Sequence, residues 1–259
     1  MESIISIRSL FKNYGKKQVL KDINLEIAPG QVIGYIGPNG AGKSTTVKIL
    51  CGLLPSFSGE VKIMGLDVKK QSLEIKQSIG YIPEIAEMYD LLTPREFLHL
   101  VGTLYGLKET LINSRSESLL EIFSMAENMD QRMDTFSKGM KQKVLITSGL
   151  LHNPEIIFFD EPLSGLDANS VFIVKDMISK LAESGKTIFY CSHIMDIVEK
   201  ISDRIILIND GQVIADGTFE DLKQMQGENS LEKIFTNLTS NISLNELSDK
   251  FINVLNNDK

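Results

Sequence analysis

Apolar and polar residues alternate through the first thirty positions, with Ile5 and Ile7, then Val19, Ile23, Leu25 and Ile27, standing among polar neighbours. A period of two marks strands buried on one face. Asn13-Tyr14-Gly15-Lys16 has the chemistry of a hairpin turn between them. Beyond Pro29-Gly30 the pattern changes to short, mostly apolar runs: Val32 to Ile36, Ile156 to Asp160, Thr187 to Cys191 and Arg204 to Ile208. Such runs fit strands covered on both faces, as in the interior of a parallel sheet. Helical patterns lie between them, as crossover connections require. The expectation is an α/β fold.

More than a hundred residues separate the first two of those runs, far beyond one crossover. An inserted subdomain, about residues 85–150, is expected there. From Pro94 to Phe123 the apolar positions Phe97, Leu98, Val101, Leu104 and Leu107 follow helical spacing. After Gly217 the chain becomes richer in Glu, Asn and Ser, with amphipathic stretches from Leu231 to Leu238 and from Phe251 to Leu255. The expected division is a main domain over 1–226 and a partly helical C-terminal appendage over 227–259.

Composition narrows the function. A hydrophobic content of 42% supplies a core, and the formal charge of −7 argues against a general nucleic-acid binder. The two cysteines, Cys51 and Cys191, stand alone among apolar or small neighbours, which fits buried free thiols in a reducing compartment. Met1 to Leu20 carries Glu2, Arg8, Lys12, Lys16 and Lys17 between short apolar stretches, unlike a secretory signal. No stretch approaches the roughly 20 apolar residues that span a bilayer.

Candidate chemistry begins at Gly37-Pro38-Asn39-Gly40-Ala41-Gly42-Lys43-Ser44, with Thr45 next, between an expected strand and an expected helix. Glycines let successive amides face inward as a nest for phosphate oxygens, and the helix start adds its dipole. Lys43 is placed to reach the β and γ phosphates of a nucleoside triphosphate, and the Ser44 hydroxyl to ligate Mg²⁺. A second site follows the run Ile156-Ile157-Phe158-Phe159, which carries Asp160 and Glu161 to the C-terminal end of a buried strand, where ligands sit in open α/β sheets. Asp160 is the candidate for holding Mg²⁺ through water, and Glu161 for orienting and polarising the attacking water.

With these motifs the chain, from Ile5 to about Leu222, resembles the nucleotide-binding domain of the ATP-binding cassette (ABC) family. Phe136-Ser137-Lys138-Gly139-Met140-Lys141-Gln142 resembles the family's signature sequence, with Lys138 and Met140 departing from the usual glycine and glutamine. Ser164-Gly165-Leu166-Asp167 is similar to the D-loop, and His193 to the switch histidine that senses the γ phosphate. Tyr14 fits the aromatic residue that stacks on adenine. At the junction with the helical insertion stands Glu84, where the family usually has a glutamine; a carboxylate oxygen there also suits Mg²⁺.

The resemblance implies a P-loop NTPase core of mainly parallel sheet with flanking helices, an N-terminal antiparallel β subdomain and the α-helical insertion. It implies ATP and Mg²⁺ as ligands, and a second ATP-binding subunit, identical or not, whose Ser137 and Gly139 complete the site. It also implies a separate polytopic permease contacted through Glu84 to Thr93, at the cytoplasmic face of the membrane. The Glu84 junction and the divergent signature resemble subunits of drug, peptide or ion exporters. Soluble ABC ATPases of translation or DNA repair are the rival class, but tandem cassettes and long coiled-coil inserts are missing from the sequence. A non-hydrolysing module is disfavoured by Glu161.

Overall fold

A computed structural model describes residues 3–85, 88–239 and residue 254. The alternating N-terminal pattern forms β1 (Ile5–Tyr14) and β2 (Lys17–Ile27), an antiparallel hairpin. Gly15 sits in its turn at φ 57°, a conformation that glycine adopts without a Cβ penalty. The first apolar run is β3 (Val32–Ile36), buried along its whole length, and α1 (Lys43–Leu50) follows it. Next come β4 (Ser58–Ile63), β5 (Leu66–Asp67), α2 (Ser72–Ser78) and β6 (Ile79–Ile82).

The helical section holds α3 (Pro94–Leu104), α4 (Glu109–Ile122) and α5 (Lys138–Leu150), with two short 3₁₀ turns before α5. Thr93 and Glu96 form a reciprocal capping box at the start of α3, and Pro94 occupies its first turn. The mainly helical pattern expected from Pro94 to Phe123 is two helices: the chain turns at Gly106, φ 72°, and restarts at Glu109. Thereafter strands and helices alternate as β7 (Ile156–Asp160), α6 (Ala168–Glu183), β8 (Thr187–Cys191) and α7 (Met195–Ile201). The described chain continues through β9 (Arg204–Asn209), β10 (Gln212–Gly217), α8 (Phe219–Gln226) and α9 (Leu231–Thr239). The amphipathic stretch read at Phe251 to Leu255 lies, but for Val254, outside the described residues.

Two sheets result. One is antiparallel, in the order β2-β1-β4-β5; the other has the order β10-β9-β3-β8-β7-β6, parallel except for β10 at its edge. Alternation divides the core. Ile33 and Tyr35 of β3 join α1, α2 and the antiparallel sheet in one apolar cluster, whereas Val32 and Ile36 face the cluster built with α3 to α9. Both cysteines are free and buried.

This topology gathers the chemistry. In register, Tyr35 pairs with Cys191, Asp160 with Cys191 and Ile82 with Phe159, so β3, β8, β7 and β6 all end at the same edge of the sheet. The loops that leave those ends carry Gly37 to Lys43, Ser192 and His193, Glu161, and Glu84.

Candidate active site

At that edge lies a cleft of about 790 Å³ lined by the phosphate loop, Tyr14, Glu84, Asp160, Glu161 and His193. The loop is built for close approach. A Cβ on Gly37 would collide with the Ile208 carbonyl oxygen, and Gly40 and Gly42 hold φ 82° and 111°, where side chains are strained. Lys43 is buried, with Nζ donating to the carbonyls of Gly37 at 2.6 Å and Pro38 at 3.3 Å, so the loop curls around its own cation. At the first turn of α1, Thr46 donates to the Gly42 carbonyl and meets the Tyr35 hydroxyl at 3.2 Å, which fixes the helix start behind the loop.

Ser44 Oγ donates to Asp160 Oδ1 at 3.3 Å. Asp160 is only 2% exposed, and burial pushes its carboxyl up, aided by Glu84 and Glu161 and opposed by the Ser44 bond and Lys43. A buried carboxylate under that strain is a natural place for a cation. The donor set of one hydroxyl, Asp160 and the neighbouring Glu84 suits Mg²⁺, which takes one or two carboxylates with phosphates and water rather than an all-protein cage. No such cage of His, Cys, Asp or Glu exists among the described residues.

Glu161 follows directly, with its backbone at φ 52°. A left-handed glutamate is costly, and such strain clusters at functional positions. Its N–H donates to the Cys191 carbonyl, and its Oε2 accepts from Ser192 Oγ at 3.1 Å and lies 2.9 Å from His193 Nδ1. A neutral imidazole donates to Glu161 when Nδ1 carries the proton, and its Nε2 is then an acceptor. The His193 side chain is 71% exposed while that of Glu161 is 12% exposed, so the pair runs from solvent inward.

The structure therefore brings together Tyr14, Gly37, Pro38, Asn39, Gly40, Gly42, Lys43, Ser44, Thr45, Glu84, Asp160, Glu161 and His193. Ala41 is buried behind the loop, its N–H donating to Pro38 and its carbonyl accepting from Gly211. Tyr14 stands at the rim, 48% exposed, with the Lys12 ammonium 4.9 Å from its ring centre.

Ser137 and Gly139 lie apart from this cleft. Ser137 caps α5 by accepting from the Met140 N–H at 3.3 Å, and a Cβ on Gly139 would meet the Gly165 carbonyl oxygen at 2.5 Å. Lys138 donates to Ser164 Oγ at 2.7 Å and Lys143 pairs with Asp167 at 3.0 Å, so the start of α5 and the loop after β7 form one packed unit. Sequence reasoning missed Ser192, which supports Glu161 and accepts from the Ile194 N–H. It also missed Lys17, Val19, Met195 and Phe235 in the cleft lining. The place of Ser192 directly before His193 was the available signal for the first; nothing local to Phe235 points to the cleft.

The ABC transporter family model matches residues 20–164, more than half of the chain. This chain belongs to the ABC transporter family. It is 41% identical over 224 residues to the ABC transporter ATP-binding protein NatA of Bacillus subtilis, covering 85% of this chain and 91% of NatA. The linearmycin resistance ATP-binding protein LnrL of the same organism is 36% identical over 228 residues, covering 88% of this chain and 73% of LnrL. A solved ATP-binding subunit of an ABC transporter superimposes with a TM-score of 0.87 at 31% identity, covering 92% of this chain and all of that one (100%). The cassette is thus an ATP-binding subunit of an ABC transporter and an ATPase. None of its described helices is long and apolar enough to cross a membrane.

Proposed function

We propose that this ABC cassette hydrolyses ATP with Glu161 as the base, in a site completed by a second ATP-binding subunit, and so drives a separate polytopic permease that exports its substrate. The observation that carries the chemistry is the strained Glu161, held by Ser192 and His193 on the cleft that contains the phosphate loop. The loop amides and Lys43 bind and orient the β and γ phosphates and stabilise their charge. Tyr14 stacks on the base. Glu161 accepts the proton of the attacking water while His193 stands beside it on the γ-phosphate side of the cleft. Ser44, Asp160 and Glu84 would hold Mg²⁺, whose charge neutralises the phosphate oxygens.

Reliance on a second chain is supported by the placement of Ser137 and Gly139. They head a helix N-terminus suited to phosphate, yet they lie outside their own chain's cleft. The division into a main domain over 1–226, with its helical insertion at 85–150, and an appendage from 227 belongs to the same reading. Export is favoured by the resistance protein among the relatives.

A permease surface is favoured beside Glu84. Ile85, Tyr89 and Leu91 are 66%, 67% and 69% exposed, and Leu100 and Leu104 continue the apolar patch on α3. Exposed apolar clusters of this kind mark partner surfaces, here at the cytoplasmic face of the membrane. The test is a chain carrying Tyr89→Asp and Leu91→Asp, expressed beside its membrane partner. The purified variant should keep its intrinsic ATPase rate and be lost from the membrane fraction. Undiminished recovery with membranes would contradict the assignment of this surface.

A further inference from the structure

We infer that α9, the helix in the C-terminal appendage, is a positioning element for His193 and that Phe235 is its point of action on the nucleotide cleft. The inference rests on the cleft being the ATP site. Phe235 lines that cleft together with His193 and Met195, although it belongs to a segment far beyond the family match at residues 20–164. It reaches the cleft because α9 is docked by one face. Leu231 and Ile234 are fully buried, and Phe235 and Leu238 pack on the same cluster as Ile197 and Val198 of α7 and Leu222 of α8. The spacing 231, 234, 235, 238 is that of a single helical stripe.

A polar contact fixes the other end. The Leu231 N–H at the start of α9 donates to Glu199 Oε2 of α7 at 3.1 Å, so a carboxylate of one helix caps the positive end of the other.

The consequence falls on His193. α7 begins two residues after it and is 7 residues long, and its N-terminus has no side-chain cap. Helices this short are not stable on their own and take their orientation from what packs against them. α7 is packed between β3, α6 and α9. A shift of α9 therefore shifts the start of α7 and with it the imidazole that faces the γ phosphate. Recognition of the γ phosphate should depend on α9, while recognition of the base and the α and β phosphates should not. Phe235 is in this sense a positioning residue for discrimination between ATP and ADP.

Calorimetry of the full chain with Mg²⁺ and either ADP or the non-hydrolysable β,γ-imido analogue of ATP tests this. Phe235→Ala should weaken the analogue by about fivefold or more relative to ADP, in the range typical of coupled sites. Phe235→Leu should restore it. Glu199→Ala, which removes the α7 carboxylate from the start of α9 without touching the cleft, should produce the same selective loss, and it decides the matter if Phe235→Ala does not fold. Unchanged affinities, or an equal loss for both nucleotides, would overturn the role of α9. A wild-type chain that binds neither nucleotide would instead overturn the assignment of the cleft.

Discussion

At Glu161 a strained backbone coincides with the role proposed for the side chain. Its left-handed backbone turns the side chain back beneath the strand ends, where Ser192 and His193 meet it. Asp160, one position earlier on regular strand, points instead to Ser44. Adjacent carboxylates thereby acquire different surroundings: one buried against the helix that follows the phosphate loop, the other tied to an exposed imidazole.

At the same scale, Asp167 holds the loop that follows them. Hydrogen bonds from the Ser170 side chain and N–H, with Lys143 beside it, hold its carboxyl well below the ordinary value of 3.8. A lowered folded value means that its stabilisation is present above the unfolded value and is lost as pH falls through the folded one. Asp167→Asn keeps a capping side chain but removes the charge. Its urea midpoint should fall below wild type near about pH 6, and the gap should close as pH drops below about 4. A gap that persists in acid would assign the effect to geometry instead.

Among elements, the close contact of β6 with α5 sets where the helical section meets the sheet. Gly80 and Gly149 permit it: a Cβ on Gly80 would collide with the Gly149 carbonyl oxygen, and one on Gly149 would stand 2.7 Å from Ile82 Cδ1. Backbone cannot yield as a flexible side chain can. Gly80→Ala should therefore destabilise the protein by about 1–3 kcal/mol, the cost of overpacking a tight core. Chemical denaturation with an unchanged m-value would register it, and full stability would show that the two elements are free to part. Glu84 lies just beyond β6, so this contact also fixes the height at which its carboxylate enters the cleft.

Across the whole molecule, the parts legible in the sequence are those whose physics is local. Val32 to Ile36 and Thr187 to Cys191 announced buried strands because a strand covered on both faces needs apolar residues at every position. The glycines, Lys43 and Ser44 of the phosphate loop are legible for the same reason: each is required by the conformation or ligand at its own position. The break at Gly106 was hidden by helical spacing that continues on both sides of it. The short edge strands β5 and β6 carry too few residues for a period to show.

Ser192 was missed because a serine beside a histidine has many uses until its carboxylate partner is seen. Phe235 was missed because only tertiary packing of α9 on α7 carries it to the cleft. Ser137 and Gly139 lie outside the cleft of their own chain, an arrangement that suits the proposed sharing of the site with a second subunit.

In the proposed reaction Glu161 removes the proton from the attacking water in this cleft. Comparison of ATP turnover and ATP binding in Glu161→Gln with those of wild type tests this role. Glutamine keeps the size and the hydrogen-bonding oxygen but cannot act as the base. Turnover should fall by at least about a hundredfold, the lower range for loss of a general base, while ATP binding stays intact and a nucleotide-bound dimer accumulates. Turnover at the wild-type rate in Glu161→Gln would remove Glu161 as the base.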